Sequence, residues 1–142
     1  MIEAFVALLI LVVVASATMA MRRAKLRRFA GRERLSDVQI IAMLSSSKAT
    51  DEKAAWFLGA VARAAEVPMG LIRPEDRFDS ELRPERGWEY GDEIAWLPSI
   101  LASKFGGRPE QYDLSKNSTV AQLFREVVRD SDQEDNSSGN SR

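Results

Sequence analysis

The 142 residues predict an all-α protein, with a single N-terminal transmembrane helix ahead of a small four-helix domain that carries one long ordered loop. Three observations lead to that class. Ala4 to Met21 is an uncharged, almost wholly apolar run of 18 residues. As a helix it reaches roughly 27 Å, close to a hydrocarbon core of about 30 Å. Ser36 and Thr119 each stand three residues ahead of a glutamine and open onto apolar residues at helical spacing, the mark of a capped amphipathic helix. No segment shows the strict alternation of a half-buried strand.

Residues 1–21 read as a transmembrane anchor and 22–34 as a basic juxtamembrane segment. Seven Lys or Arg and one Glu between residues 22 and 34 give a local charge of +6, against −1 for the whole chain. A secretory signal peptide carries its cations before the apolar stretch; here only Glu3 precedes it. Ala15-Ser16-Ala17 still has the small-residue form of a cleavage site and keeps that alternative open. The positive-inside rule places the N-terminus outside and the C-terminal domain in the cytoplasm. Arg22, Arg23, Lys25, Arg27 and Arg28 then meet anionic lipid headgroups, at about 1 kcal/mol each near the surface. Their role as topology determinants would by itself explain them. The membrane accounts for the position of this block, so nucleic acid is not expected as a partner.

Residues 35–129 read as the helical domain. Ser36-Asp37-Val38-Gln39 forms a capping box that opens a short helix through Leu44, with Ile40, Ile41 and Leu44 on one side. Ser45-Ser46-Ser47 is a loop. Thr50 is placed as the cap of a second helix, with Asp51 and Glu52 in the first turn, where the helix dipole favours acids. Ala54, Phe57, Leu58, Val61 and Ala65 make its apolar stripe. Pro68 is placed as its end, because the residue before a proline is pushed out of the helical region.

Met69 to Gly91 is a long loop punctuated by Pro74, Pro84, Gly87 and Gly91. Loops of this length in small domains are functional or held by anchors, and Leu71, Ile72, Phe78, Leu82 and Trp88 are the candidates. Asp92 opens the next helix, with Ile94, Leu97, Ile100, Leu101 and Phe105 on one face and Gly106-Gly107 as its stop. Pro98 conflicts with a helix interior, which points to a main helix starting near Pro98 after a separate turn. Thr119 and Gln122 cap the last helix, whose stripe is Val120, Leu123, Phe124, Val127 and Val128. Residues 130–142, rich in Ser, Asn, Asp and Gly, read as a disordered acidic and polar tail.

The chain has no Cys and no His. That excludes thiol chemistry, disulfides, Cys or His metal sites and a histidine general base. Eight acids between Glu75 and Glu93 face Arg73, Arg77, Arg83 and Arg86. Their alternating signs suit a solvated, internally salt-bridged loop better than acid–base catalysis or a hard metal. No phosphate-binding glycine loop or nucleophile–base set is present, so no enzyme activity is expected. Trp88, Tyr90 and Trp96 bracket Asp92, either to anchor the loop or to present a partner surface.

The order of the punctuation resembles an acyl carrier protein-like domain. A helix ends at Val67-Pro68 and is followed by "LIRPEDRF", Leu82 and an aspartate opening a helix that ends "KFGG"; "STVAQLFREV" follows a short loop. In that family a Pro-Glu/Asp-Asp-x-Phe element lies in the long loop. An aspartate-serine-leucine motif starts helix two, which ends at Phe-Gly, and a Thr-Val pair opens the last helix. The resemblance spans Thr50 to Val128, and an unrelated four-helix domain with similar punctuation is the alternative.

The resemblance implies phosphopantetheine on a serine, but Asp92-Glu93-Ile94 stands where aspartate-serine-leucine belongs. Glu93 cannot form the phosphodiester, and Pro84–Tyr90 lengthens the loop. No cofactor is therefore expected. Ser80, in Asp79-Ser80-Glu81-Leu82, is the remaining candidate for attachment, ahead of Ser99; both also read as ordinary solvated or capping hydroxyls. The resemblance further implies a partner surface at the start of helix two, with Asp92, Glu93, Trp88 and Tyr90 as its residues. The resulting expectation is a membrane-anchored, non-enzymatic interaction or scaffold protein facing the cytoplasm and binding an unknown protein partner. A membrane-tethered carrier modified at Ser80 is the alternative.

Overall fold

The structure, a computed structural model, describes residues 2–83 and 93–138, with side chains as far as residue 132 in the final helix. The chain divides into two compact units, Met1–Arg32 and Glu33–Arg142. Five α-helices and two short 3-10 turns make up the regular structure of the described residues. The all-α class predicted from the sequence is what they show. A lone antiparallel bridge joins Arg77 to Thr119.

The first unit is α1 (Ile2–Arg27), 26 residues or about 39 Å long. It is long and apolar enough to cross a membrane, and none of its most apolar window is buried. Its two hydroxyls are satisfied within the helix: Ser16 Oγ donates to the Val12 carbonyl at 2.7 Å and Thr18 Oγ1 to the Val14 carbonyl, which is what a polar side chain in hydrocarbon needs. The helix runs unbroken through Ala15-Ser16-Ala17 and continues past Met21, so the first cations of the basic segment are helical. Arg22, Arg23 and Arg27 are exposed, Arg28 is half-buried and Lys25 is buried. Beyond the helix, the Arg32 guanidinium lies 5.1 Å from the centre of the Phe29 ring.

The second unit begins with α2 (Asp37–Leu44). Its capping box is formed: the Ser36 amide donates to Gln39 Oε1 at 2.9 Å and the Gln39 amide to Ser36 Oγ at 3.4 Å. α3 (Lys48–Ala65) starts one turn earlier than expected, with Ser47 rather than Thr50 at the N-cap. The Thr50 hydroxyl instead accepts from the Ser47 amide at 3.3 Å and pairs with Ser45 Oγ at 2.6 Å. With four hydroxyl residues in six positions, several registers offer a cap. The end of α3 also differs. Glu66 takes the left-handed conformation at φ 54° and its amide returns to the Ala62 and Arg63 carbonyls. This αL cap stops the helix before Pro68 has any bearing.

Gly59 lies inside α3, and an added Cβ there would meet no atom within 4 Å. Gly59→Ala is expected to stabilise the domain by about 0.5–1 kcal/mol, by removing backbone freedom from the unfolded chain. A rise of a few degrees in melting temperature checks it; a fall would show that the helix does not continue through this position.

The first half of the long loop is tied down. A 3-10 turn at Met69–Leu71 leads to buried Ile72, Phe78 and Leu82. Gly70 is required by a close approach: a Cβ would lie 2.7 Å from the Leu35 carbonyl oxygen, and its own carbonyl accepts the Leu35 amide at 3.0 Å. Asp76 is buried and its Oδ2 accepts the Arg73 amide at 2.8 Å. The loop then satisfies the otherwise orphaned first amides of the last helix. The Val120 amide donates to the Asp76 carbonyl at 3.0 Å and the Ala121 amide to the Pro74 carbonyl at 2.9 Å, while the Phe78 amide donates to Ser118.

α4 (Glu93–Phe105) is one continuous helix with Pro98 inside it, not a turn followed by a helix. Pro98 forfeits one backbone bond, and buried Ile94, Leu97, Leu101 and Phe105 on both sides of it keep the helix in register against the core. Gly106 and Gly107 end the helix at φ 81° and 78°. A 3-10 turn that the sequence did not announce follows at Pro109–Tyr112; the fully buried Tyr112 donates its hydroxyl to the Gly106 carbonyl at 2.9 Å.

At Gly107 a Cβ would press on Gln111 Oε1 and lie 3.2 Å from Asp130 Oδ2 and 3.3 Å from the Tyr112 hydroxyl. Gly107→Ala is expected to cost about 2 kcal/mol, about half from the left-handed backbone and half from displaced oxygens. Chemical denaturation would show it; an unchanged midpoint would mean that this corner is not formed as described.

α5 (Val120–Ser138) opens on the predicted box. The Thr119 amide donates to Gln122 Oε1 at 3.1 Å and the Gln122 amide to Thr119 Oγ1 at 3.2 Å. The helix runs on through Ser138, so the segment from Asp130 read as disordered is helical to that point. Asp130 is buried, Lys53 Nζ donates to Ser131 Oγ at 2.7 Å, and Lys53 pairs with Asp132 at 3.5 Å. These contacts with α3 hold a turn that composition alone marks as tail. The core of the unit is built from Phe57, Leu58 and Val61 of α3, Leu97 and Leu101 of α4, and Leu123 and Val127 of α5, all without solvent exposure.

Candidate functional site

α4 has two unlike faces. Ile94, Leu97, Leu101 and Phe105 are buried. At 100° per residue, Glu93, Trp96, Ile100, Ser103 and Lys104 fall together on a flank about a third of a turn from the centre of the buried stripe, and all are exposed. Trp96 keeps 69% of its surface in solvent and Ile100 keeps 41%. A tryptophan left in water on a helix whose other side is fully packed is the least expected placement in the domain.

The neighbouring part of α3 completes the surface. α3 and α4 run antiparallel: Trp56, early in α3, meets Phe105 at the end of α4 edge-to-face, with ring centres 5.2 Å apart, while Ala60 and Ala64 line a hollow with Glu93, Trp96 and Ile100. A second hollow, walled by Trp56, Ser99 and Lys104, shares Trp96 and Ile100 with the first. The two make one shallow groove with an apolar middle. Lys104 Nζ stands 5.6 Å over the Trp56 ring at one end, and Arg63 and Glu93 stand at the other. Such a groove has the means to bind and orient a partner's apolar side chains.

The residues named from the sequence are distributed unevenly. Glu93 is the first residue of α4 and is exposed. Asp92, Trp88 and Tyr90 lie outside the described residues. Ile100, counted from the sequence with the core stripe, faces outward: it sits a third of a turn from the centre of that stripe. Trp96, read only as a companion of Asp92, is the more exposed of the two. The signal available for both was an i, i+4 apolar pair out of phase with the buried set.

Ser80 lies in the turn between Arg77 and Leu82. Its hydroxyl donates to Glu81 Oε1 at 3.2 Å and its amide to the Arg77 carbonyl at 3.4 Å. Beside it Arg77 and Asp79 form a two-pronged ion pair at 2.9 and 2.8 Å. Hydrogen bonding to Arg77 holds the Asp79 carboxyl below the usual carboxylate range, and the same bond raises Arg77. Ser80 thus stands between two carboxylates, a setting that offers a phosphodiester little. Ser99 is exposed in the middle of α4, where its amide is not a free helix-terminal donor.

A broad, open depression elsewhere, between the Pro109–Tyr112 turn and α5, is lined by Arg108, Lys116, Arg129, Glu110 and Glu126. Arg129 is already paired with Glu126. Comparison with protein-family models, curated proteins and solved structures finds no match to this chain.

Proposed function

We propose that this chain is a membrane-tethered, non-enzymatic interaction protein whose helical domain faces the cytoplasm and binds a protein partner through the outer face of α4. The observation that carries the reading is Trp96 in solvent beside Ile100, on a helix whose other face is fully buried. α1 supports the tether by its length and apolar composition, and the basic residues that follow it support both the orientation and contact with anionic lipid. The resemblance of the sequence to carrier domains supports the choice of helix, because it aligns α4 with the helix that such domains present to partners. Glu93, which the resemblance aligns with the attachment serine, supports a carrier-like domain working without the arm.

A photo-crosslinking residue in place of Trp96, in the full chain in its native membrane, tests this. A discrete adduct that weakens when Glu93→Lys is added is the expected result. Labelling no stronger than from an exposed position on α2, such as Val38, would sink the reading. Intact mass after treatment with a promiscuous phosphopantetheinyl transferase tests the other half: an unchanged mass is expected, and one added arm lost on Ser80→Ala would make the chain a carrier.

A further inference from the structure

We infer that the partner covering this face is a second copy of the same chain, packed antiparallel along α4 about a two-fold axis at the level of Pro98. The inference rests on the reading that α4's outer face is the partner surface. Its own basis is the symmetry of the residues on that face. Trp96 and Ile100 lie two residues either side of Pro98. Glu93 and Lys104 lie about five to six residues either side of the same point, at the two ends of the helix. Reversing the helix therefore exchanges Trp96 with Ile100 and Glu93 with Lys104. A second copy sets each tryptophan on the other's isoleucine and each carboxylate within reach of the other's ammonium, the self-complementarity an isologous interface requires.

The chemistry of the groove suits that occupant. Ala60 and Ala64 of α3 leave room beside Trp96, so the incoming Ile100 has a shallow seat and the helices can approach closely. Ser103 is small and flanks the seat at the other end. Arg63 shares the Glu93 end, which makes the charge match modest; most of the stabilisation comes from burying the apolar pair twice over. The paired face is short, about 20 Å of helix, so the interface falls at the low end of the range for specific complexes. Confinement of both copies to one membrane raises their effective concentration and favours such a contact.

The cysteine-free sequence makes the test direct, since in a purified preparation a thiol placed at exposed Ser99, close to the axis, can be joined only to another copy. The purified full chain carrying Ser99→Cys, in phospholipid nanodiscs, is treated with a short bis-maleimide. A dimer band well above that of a Ser46→Cys control is expected. Adding Glu93→Lys or Lys104→Glu alone should cut it about five-fold, through lost attraction and new repulsion, and the double exchange Glu93→Lys/Lys104→Glu should restore it. Circular dichroism of each variant controls for folding.

A dimer indifferent to the single reversals, or not restored by the exchange, would overturn this pairing. Absence of the dimer would overturn it too. In that case the access of the Ser99→Cys thiol to a bulky maleimide in permeabilised native membranes separates the two ideas. Protection there, lost on extraction, would leave the face with a different partner; full access would remove the partner surface as well.

Discussion

Phe57→Ala is expected to destabilise the helical domain by about 3–5 kcal/mol, the range for truncating a buried aromatic ring. Phe57 has no solvent exposure and its ring lies 5.2 Å from that of Phe124, inclined at 45°. It is therefore the pin between α3 and α5, and the cavity it leaves has helices on both sides that cannot close independently. A small domain has on the order of 5–15 kcal/mol to lose, so the variant should populate unfolded or loosened states under mild denaturant. Tryptophan fluorescence is the better readout, because α1 contributes helical signal whether or not the domain is folded. Trp96→Ala is the internal contrast. It removes a larger side chain from a surface position and should change stability by no more than about 0.5 kcal/mol. Equal losses at the two positions would mean that Trp96 is packed rather than presented.

The second large effect concerns α1. Val12→Arg with Val13→Arg places two charges at the middle of the apolar run, where each costs about 2.5–3.5 kcal/mol in a membrane helix. The pair should move most of the chain from the carbonate-resistant membrane fraction to the soluble fraction. Nothing in α1's apolar window is buried, so the same substitutions should leave the helical domain's unfolding transition in place. Continued membrane association would show that α1 is not the tether. Loss of the domain's transition would show that α1 is part of its core.

The two experiments divide the molecule along the line the sequence already draws. The apolar run needs no tertiary information: its length and lack of charge are local facts, and so is the block of cations after it. The capping boxes at Ser36–Gln39 and Thr119–Gln122 were equally legible, because a serine or threonine and a glutamine three residues on satisfy each other within one turn. Ile72, Phe78 and Leu82 could be named as loop anchors because an apolar residue in a charged loop has few other reasons to be there.

Three readings that needed a neighbour went astray. Thr50 and Ser47 are both good caps in isolation, and the hydroxyl cluster with Ser45 decides between them. Pro98 reads as a break, yet the packing of Leu97 and Leu101 outweighs one missing backbone bond. The turn after Asp130 reads as tail, yet Lys53 of α3 meets Ser131 and Asp132.

The candidate surface shows the same division. Glu93 could be named from the sequence because the resemblance to a carrier motif, and the departure from it at this position, both rest on neighbouring letters; the structure shows it exposed at the start of α4. Trp96 and Ile100 were not separable from the core by composition, since an apolar side chain looks the same whichever way it faces. The sequence alone determined the all-α class, the membrane-length first helix, two helix starts and the anchors of the loop, because each follows from residues within a few positions of one another. Only the tertiary structure decided that Ile100 lies outside the buried face of α4, that Pro98 lies inside a continuous helix, and that α5 runs on past the acidic boundary, because each depends on contacts between residues far apart in the chain.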